Sequence, residues 1–121
     1  VMKGNTRRVV AFIAGKLIAG SGAWAIYDCE EARSWRFSGS VSPEQILVYD
    51  PEQRCMISGY GEEGCYSIYH HGNRHHIELT IEGSGFEGYD HGSGSRFSGS
   101  VEGSSVVVFD GQERKYYYFT I

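Results

Sequence analysis

Long apolar runs are missing from this chain. No stretch approaches the ~20 consecutive apolar residues that a membrane-spanning helix requires, so no membrane helix is expected. Basic charge is also scarce. Eleven Lys and Arg stand against 15 Asp and Glu, a formal net charge of −4. A phosphate backbone needs a basic face, so nucleic acid is not expected as a partner. Proline occurs only at Pro43 and Pro51, both in predicted turns. Cysteine is limited to Cys29, Cys55 and Cys65, an odd number without the spacing of a disulfide framework. Reduced thiols in a cytoplasmic protein are the expectation, with one disulfide and a spare thiol as the alternative. Phosphate-loop and dinucleotide fingerprints are lacking, since Gly92-Ser93-Gly94 has the remainder of neither. Ser, His and Asp occur in equivalent turns rather than as one convergent set, and no cysteine lies in a reactive-cysteine motif. A catalytic role is therefore not the favoured expectation.

Glycine and tyrosine are what the chain has in plenty, 17 and 9 of its 121 residues. This composition suits many short strands joined by tight turns, and the length suits one domain with its own core. The aromatic residues Tyr27, Tyr49, Tyr69, Tyr89 and Phe109 recur at intervals of 22, 20, 20 and 20 residues. Each is followed by a polar residue, namely Asp28, Asp50, His70, Asp90 and Asp110. The hexapeptide RFSGSV appears twice, at Arg36–Val41 and Arg96–Val101. A fixed period of this size marks a repeat architecture. Tandem Tyr-Asp units at this period resemble bacterial YD-type repeats in the dipeptide and the spacing alone, and that likeness implies no function.

Within each unit the residues alternate with period two, which specifies strands. Ile26, Val48, Ile68 and Val108, with Trp24, Ile46, Tyr66, Phe86 and Val106 two positions earlier, form one apolar face. That face is predicted to be core. The aromatic series lies on the opposite face. In the second strand of each unit, Phe37, Ile57, Ile77, Phe97 and Tyr117 point one way, and glycines two residues on, such as Gly39, Gly59 and Gly99, are expected where a bulky ring is covered.

The fold class is thus all-β, a single domain over residues 1–121 built of tandem two-strand repeats of about 20 residues. Residues 23–121 form five units, and residues 1–22 are expected to be an atypical capping unit. In that unit a polar lead-in over residues 1–8 precedes short strands at Val9–Ile13 and Lys16–Ala19, with a short helix as the competing reading. Lys3, Arg7 and Arg8 before an apolar run, with Ala23-Trp24-Ala25 beyond it, resemble a secretory signal. Lys16 interrupts the run, so a structural segment is expected instead. The constant interval favours a two-sided β-solenoid of parallel stacked strands. An antiparallel hairpin meander closing as a barrel, or a trefoil-like array, is the alternative.

Three functional readings follow. The favoured one is a non-catalytic binding or self-assembly module, a homo-oligomer, because the terminal strand Tyr116–Ile121 would leave a hydrophobic edge. The second is a carbohydrate-binding protein. An aromatic face of Trp24, Tyr49, Tyr69 and Tyr89 would stack on pyranose rings, with turn Asp, Asn and Ser bonding their hydroxyls. The third is a Zn, Ni or Cu site at His70, His71, His75 and His91, since neutral imidazoles that converge bind such ions. The same histidines could instead confer pH sensitivity. The aspartates that open the turns are expected to cap them.

Overall fold

The computed structural model describes residues 2–121; Val1, the first residue of the expected lead-in, lies outside the described residues. One helix, α1 (Gly4–Ala19), precedes eleven strands. These are β1 (Ala25–Asp28), β2 (Arg33–Arg36), β3 (Ser38–Val41), β4 (Gln45–Asp50), β5 (Cys55–Glu62), β6 (Cys65–His70), β7 (His75–Glu82), β8 (Gly85–Asp90), β9 (Ser95–Glu102), β10 (Ser105–Asp110) and β11 (Lys115–Thr120). All pair antiparallel in one sheet, in the order β2-β1-β11-β10-β9-β8-β7-β6-β5-β4-β3. The two ends of that order, β2 and β3, are separated in the chain by Phe37 alone. One short stretch therefore pairs with β1 in its first half and with β4 in its second, and the sheet becomes a nearly closed barrel.

The all-β reading holds, and the structure agrees with its alternative form, the antiparallel hairpin meander closing as a barrel. Parallel stacking of a solenoid does not occur, because every pairing is antiparallel, between chain neighbours from β3 to β11 and otherwise between β1 and β2 and between β1 and β11. The constant 20-residue interval has another cause, visible at the strand starts 45, 65, 85 and 105. Strand length is fixed by the height of the wall, and both kinds of turn keep one size. Between units the loops hold two residues, Glu63-Gly64, Gly83-Ser84 and Gly103-Ser104, with positive φ at Glu63, Gly64, Gly83 and Gly103. That is the backbone by which two-residue hairpins match strand twist. Within units four-residue turns begin after Asp28, Asp50, His70, Asp90 and Asp110. Their last residues, Ala32, Arg54, Arg74, Gly94 and Arg114, all have φ between 52° and 73°.

The expected strands at Val9–Ile13 and Lys16–Ala19 do not form. The competing helix does, and it runs through the middle of the barrel. Val9 to Gly15 are buried without interruption, so no face of the helix is polar there. An element apolar all round has no period to read, and a buried helix and a buried strand then look alike. The helix of 16 residues is about 24 Å long, close to the reach of the eight-residue strands β5, β7 and β9, about 27 Å. Lys16, the interruption in the apolar run, donates to the Ala23 carbonyl at 2.9 Å and lies over the Trp24 ring at 4.0 Å. Gly20 ends the helix in the left-handed region, with its N–H donating to the Lys16 carbonyl.

Around the helix the predicted inward face is the observed one. Ile26, Ile46, Val48, Ile57, Ile68, Ile77, Val106 and Val108 are all buried. Phe12 stacks on Phe37 with ring centroids 4.6 Å apart and on Trp24 at 5.6 Å. Of the glycines expected under rings, Gly99 is, since a methyl there would meet Phe86 and the Val107 carbonyl, and Gly61 lies under Tyr66; Gly39 and Gly59 instead lie against the Leu47 carbonyl and the Ser67 carbonyl with Ile68.

Two measurements check this architecture. Phe12→Ala should lower unfolding free energy by about 3–5 kcal/mol in urea titration, the cost of emptying a closed core. Arg54→Gly and Arg114→Gly should each stabilise by up to about 1 kcal/mol, because a side chain at left-handed φ is strained and only part of that gain is returned as unfolded-chain entropy.

Candidate functional site

Two sets of polar and aromatic side chains stand out, one inside the barrel and one on its outer wall. The inner set follows from the turns. Asp28, Asp50, His70, Asp90 and Asp110 each end a strand pointing inward and are all buried. The aspartates cap the turns as expected. Asp28 Oδ1 accepts the N–H groups of Glu30 and Glu31, Asp50 Oδ1 those of Glu52 and Gln53, and Asp110 Oδ1 those of Gln112 and Glu113. Asp90 accepts from the Gly92 N–H and the Ser93 hydroxyl. His70 takes the same role, its Nδ1 accepting the Asn73 N–H at 3.1 Å.

The N-terminus of α1 enters this ring. The Met2 N–H donates to Asp110 Oδ2 at 3.0 Å, and Asn73 bonds Asn5 and Thr6. Arg8 is buried with its guanidinium 3.6 Å from the Trp35 ring centroid and 3.9 Å from Asp50 Oδ2. His75 Nδ1 lies 3.2 Å from Asp90 Oδ1, a short separation without hydrogen-bond alignment. Arg8 Nε, Asp50 Oδ2, His70 Nε2 and His75 Nδ1 are all buried without a hydrogen-bond partner. Burial, reinforced by the neighbouring His75, pushes the His70 pKa down to about 4.

The expected metal constellation does not assemble. His70 and His75 face the interior, whereas His71 and His91 lie on the outer wall. His70 and His75 are cross-strand partners on the inner face, whereas His71 and His91 each open a four-residue turn and fold back over the outer belt. Among the described residues no group of three His, Cys, Asp or Glu side chains is placed to hold a metal ion. Cys29, Cys55 and Cys65 are free thiols.

The outer set is a belt. Tyr49, Tyr69, Tyr89 and Phe109 are half-buried on β4, β6, β8 and β10. Cross-strand pairing flanks each ring on one side with Ser38, Ser58, Glu78 or Ser98, and on the other with Met56, His76, Arg96 or Tyr116. The turn histidines reach back over this belt. His71 meets Tyr69 edge-on at 4.7 Å and its Nε2 lies 2.8 Å from Ser58 Oγ. One repeat later His91 meets Tyr89 edge-on at 4.7 Å and its Nε2 lies 2.7 Å from Glu78 Oε2. Where the next repeat has Gly111 in place of a histidine, the wall opens. A shallow groove of about 720 Å³ runs there between Tyr89 and Phe109, with Glu78, Glu87, Arg96 and Ser98 along it. A second groove, of about 570 Å³, lies beside Tyr69, Tyr60 and His76.

Three of the residues expected to bind a ligand therefore share the outer wall, namely Tyr49, Tyr69 and Tyr89. Trp24 does not join them, because it packs on Phe12 and Lys16 at the edge of the core. Phe109, Glu78, Glu87 and Arg96 were not among the residues expected to bind a ligand. Phe109 stands in the same repeat register as the tyrosines, and the hairpin register would have placed Glu78 and Arg96 beside Tyr89. Comparison of the chain with family models, with curated proteins and with solved structures finds no match in any of the three.

The inner ring generates a pH dependence. Above the unfolded value of 6.5 His70 is neutral in both states and its full contribution to stability is present. As pH falls from 6.5 towards 4, the unfolded chain takes up a proton that the folded chain refuses, and stability is lost. His70→Asn keeps an acceptor for the Asn73 N–H and cannot titrate. Urea titrations at pH 7 and pH 4 should show the parent losing roughly 3 kcal/mol more than the variant, following the size of the shift. An equal loss in both would remove His70 as the cause.

Proposed function

We propose that this protein is a non-catalytic binding module whose ligand lies on the outer wall, and that the ligand is a carbohydrate. The single observation that carries the reading is the groove between Tyr89 and Phe109. Tyr89, Phe97 and Phe109 line it, together with carboxylates, a guanidinium and hydroxyls from neighbouring strands. Ring faces suit the apolar side of a pyranose. Glu78 and Glu87 accept hydrogen bonds, Arg96 donates them, and Ser98 and Thr80 do both. A neutral polyhydroxylated ligand uses all of these, whereas a purely apolar ligand would strand them unpaired.

Self-assembly has less to support it. The terminal strand on which that expectation stood is β11, which pairs with β10 on one side and with β1 on the other. Its outward rings, Tyr116 and Tyr118, remain exposed, but the β1 edge covers Phe119 and Thr120, and the Cys29 N–H beyond it donates to the Tyr118 carbonyl.

A glycan array followed by titration of the hits tests the reading. Tyr89→Ala should weaken binding about tenfold or more, which corresponds to the ~1.4 kcal/mol or greater typical of an anchoring aromatic. Circular dichroism and thermal unfolding should stay close to the parent, because the ring lies outside the core. An array without hits would overturn the carbohydrate assignment.

A further inference from the structure

We propose that Gly111 decides where this wall binds a glycan, by leaving open the gap between Tyr89 and Phe109 so that one sugar ring seats there. The inference rests on the carbohydrate reading above and adds the residue that selects the gap and the number of sites. Gly111 stands two residues after Phe109, as His71 stands after Tyr69 and His91 after Tyr89. The three turns share one backbone contact. The N–H groups of His71 and His91 donate to the Met56 and His76 carbonyls at 3.0 Å, and that of Gly111 donates to the Arg96 carbonyl at 2.7 Å. In the first two repeats the imidazole stands edge-on to its own tyrosine, at 83° and 84° between ring planes. It also reaches the residue opposite that tyrosine on the preceding strand, Ser58 or Glu78.

Each histidine therefore covers the strand that separates its tyrosine from the one before. In the third repeat Ser98 takes the place of Ser58 and Glu78, opposite Phe109, and no imidazole meets it. A groove lies there, lined by Tyr89, Phe109, Ser98 and Gly111. The second groove is lined by Tyr69 but by neither Tyr49 nor His71, so it is not the counterpart of the first. The histidines show what such a gap accepts. Each is a flat polar ring that rests on an aromatic one and is hydrogen-bonded to the wall beside it. One sugar ring offers the same two contacts, its apolar side on Phe109 and a hydroxyl on Ser98. The wall is convex, because eleven strands close around α1. Rings further along it diverge, and a sugar seated in one gap leaves the other ring pairs out of reach.

The test is a chemical-shift titration of the isotope-labelled full chain with free glucose, galactose, mannose and N-acetylglucosamine. At least one should bind, one sugar per chain, and move the amide signals of Ser98, Phe109 and Gly111 rather than those around Tyr49 and Tyr69. Gly111→His should weaken that binding about tenfold or more, the effect of filling the place of an anchoring contact. Gly111→Ala makes the same close approach to the Arg96 carbonyl, 2.8 Å from the added methyl, but brings no ring. It should weaken binding about threefold at most, as surface substitutions do. Ser98→Ala, at an exposed position, should weaken it about threefold or more through the lost hydroxyl. Parent-like binding in Gly111→His or Ser98→Ala, or an equal loss in Gly111→Ala and Gly111→His, would overturn the role of Gly111 and leave the carbohydrate reading standing. Shifts centred on Tyr69, or more than one sugar per chain, would overturn the single site. Hits on the glycan array with none of the four sugars binding would overturn the one-ring assignment. No binding of any glycan would remove the carbohydrate reading and this inference together.

Discussion

The space inside the wall governs the rest of this structure. About eight strands make a barrel that side chains alone can fill, and wider barrels leave a void or enclose something. Here eleven strands close around α1, and the helix occupies what would otherwise be empty. Its uniformly apolar middle, Val9–Ala14, follows from this position, since every direction from its axis meets the sheet. So does the pairing of glycine with large rings on the inner face. Gly61 beneath Tyr66 and Gly99 beneath Phe86 let the wall adjust its thickness to a cylinder of fixed radius.

Polarity inside the barrel is confined to one end, and the turns explain why. The four-residue turns need an inward carboxylate or imidazole to satisfy their N–H groups, so they ring that end with Asp28, Asp50, His70, Asp90 and Asp110. The N-terminus of α1 has no acidic residue in its first turn and no side-chain cap of its own. The ring brings negative charge there, with Asp110 accepting the Met2 N–H, and Asn73 donates to the Thr6 hydroxyl. Negative charge near a helix N-terminus is favourable. Arg8, sunk among these groups against Trp35, balances part of the charge, and replacing one partner of such a buried set would leave the others uncompensated.

Most of the wall was legible in the letters. Alternation with period two placed Val48, Ile68 and Val108 inside and the tyrosines outside, and the spacing from Tyr49 to Phe109 located the turns. The direction of strand pairing was not legible. A constant repeat arises equally from parallel coils and from hairpins whose turns never change length, and only the pairing distinguishes them. The helix was hidden for a different reason. Val9-Val10-Ala11-Phe12-Ile13 shows no periodicity because nothing around it is solvent. The site divided along the same line. Tyr69 and Tyr89 were found from their register, whereas Glu78 and Arg96 belong to the groove only through cross-strand neighbours. The histidines divided between strand ends that point inward, His70 and His75, and turns that fold outward, His71 and His91.

Closure of the sheet has a consequence for how the chain reaches this state. The last strand, β11, hydrogen-bonds to the first, β1, and the helix that both enclose precedes them in the sequence. A polypeptide emerging from the ribosome makes its plug before it makes any of the container. Until Phe119 and Thr120 are synthesised, the ring has a gap facing the helix, and the apolar stretch from Val9 to Ala14 lacks part of its cover. Contacts between segments far apart in sequence form slowly, because the intervening loop must close first. The growing chain therefore carries its most water-averse segment exposed for the longest time, a condition that favours capture by a chaperone or by its neighbours.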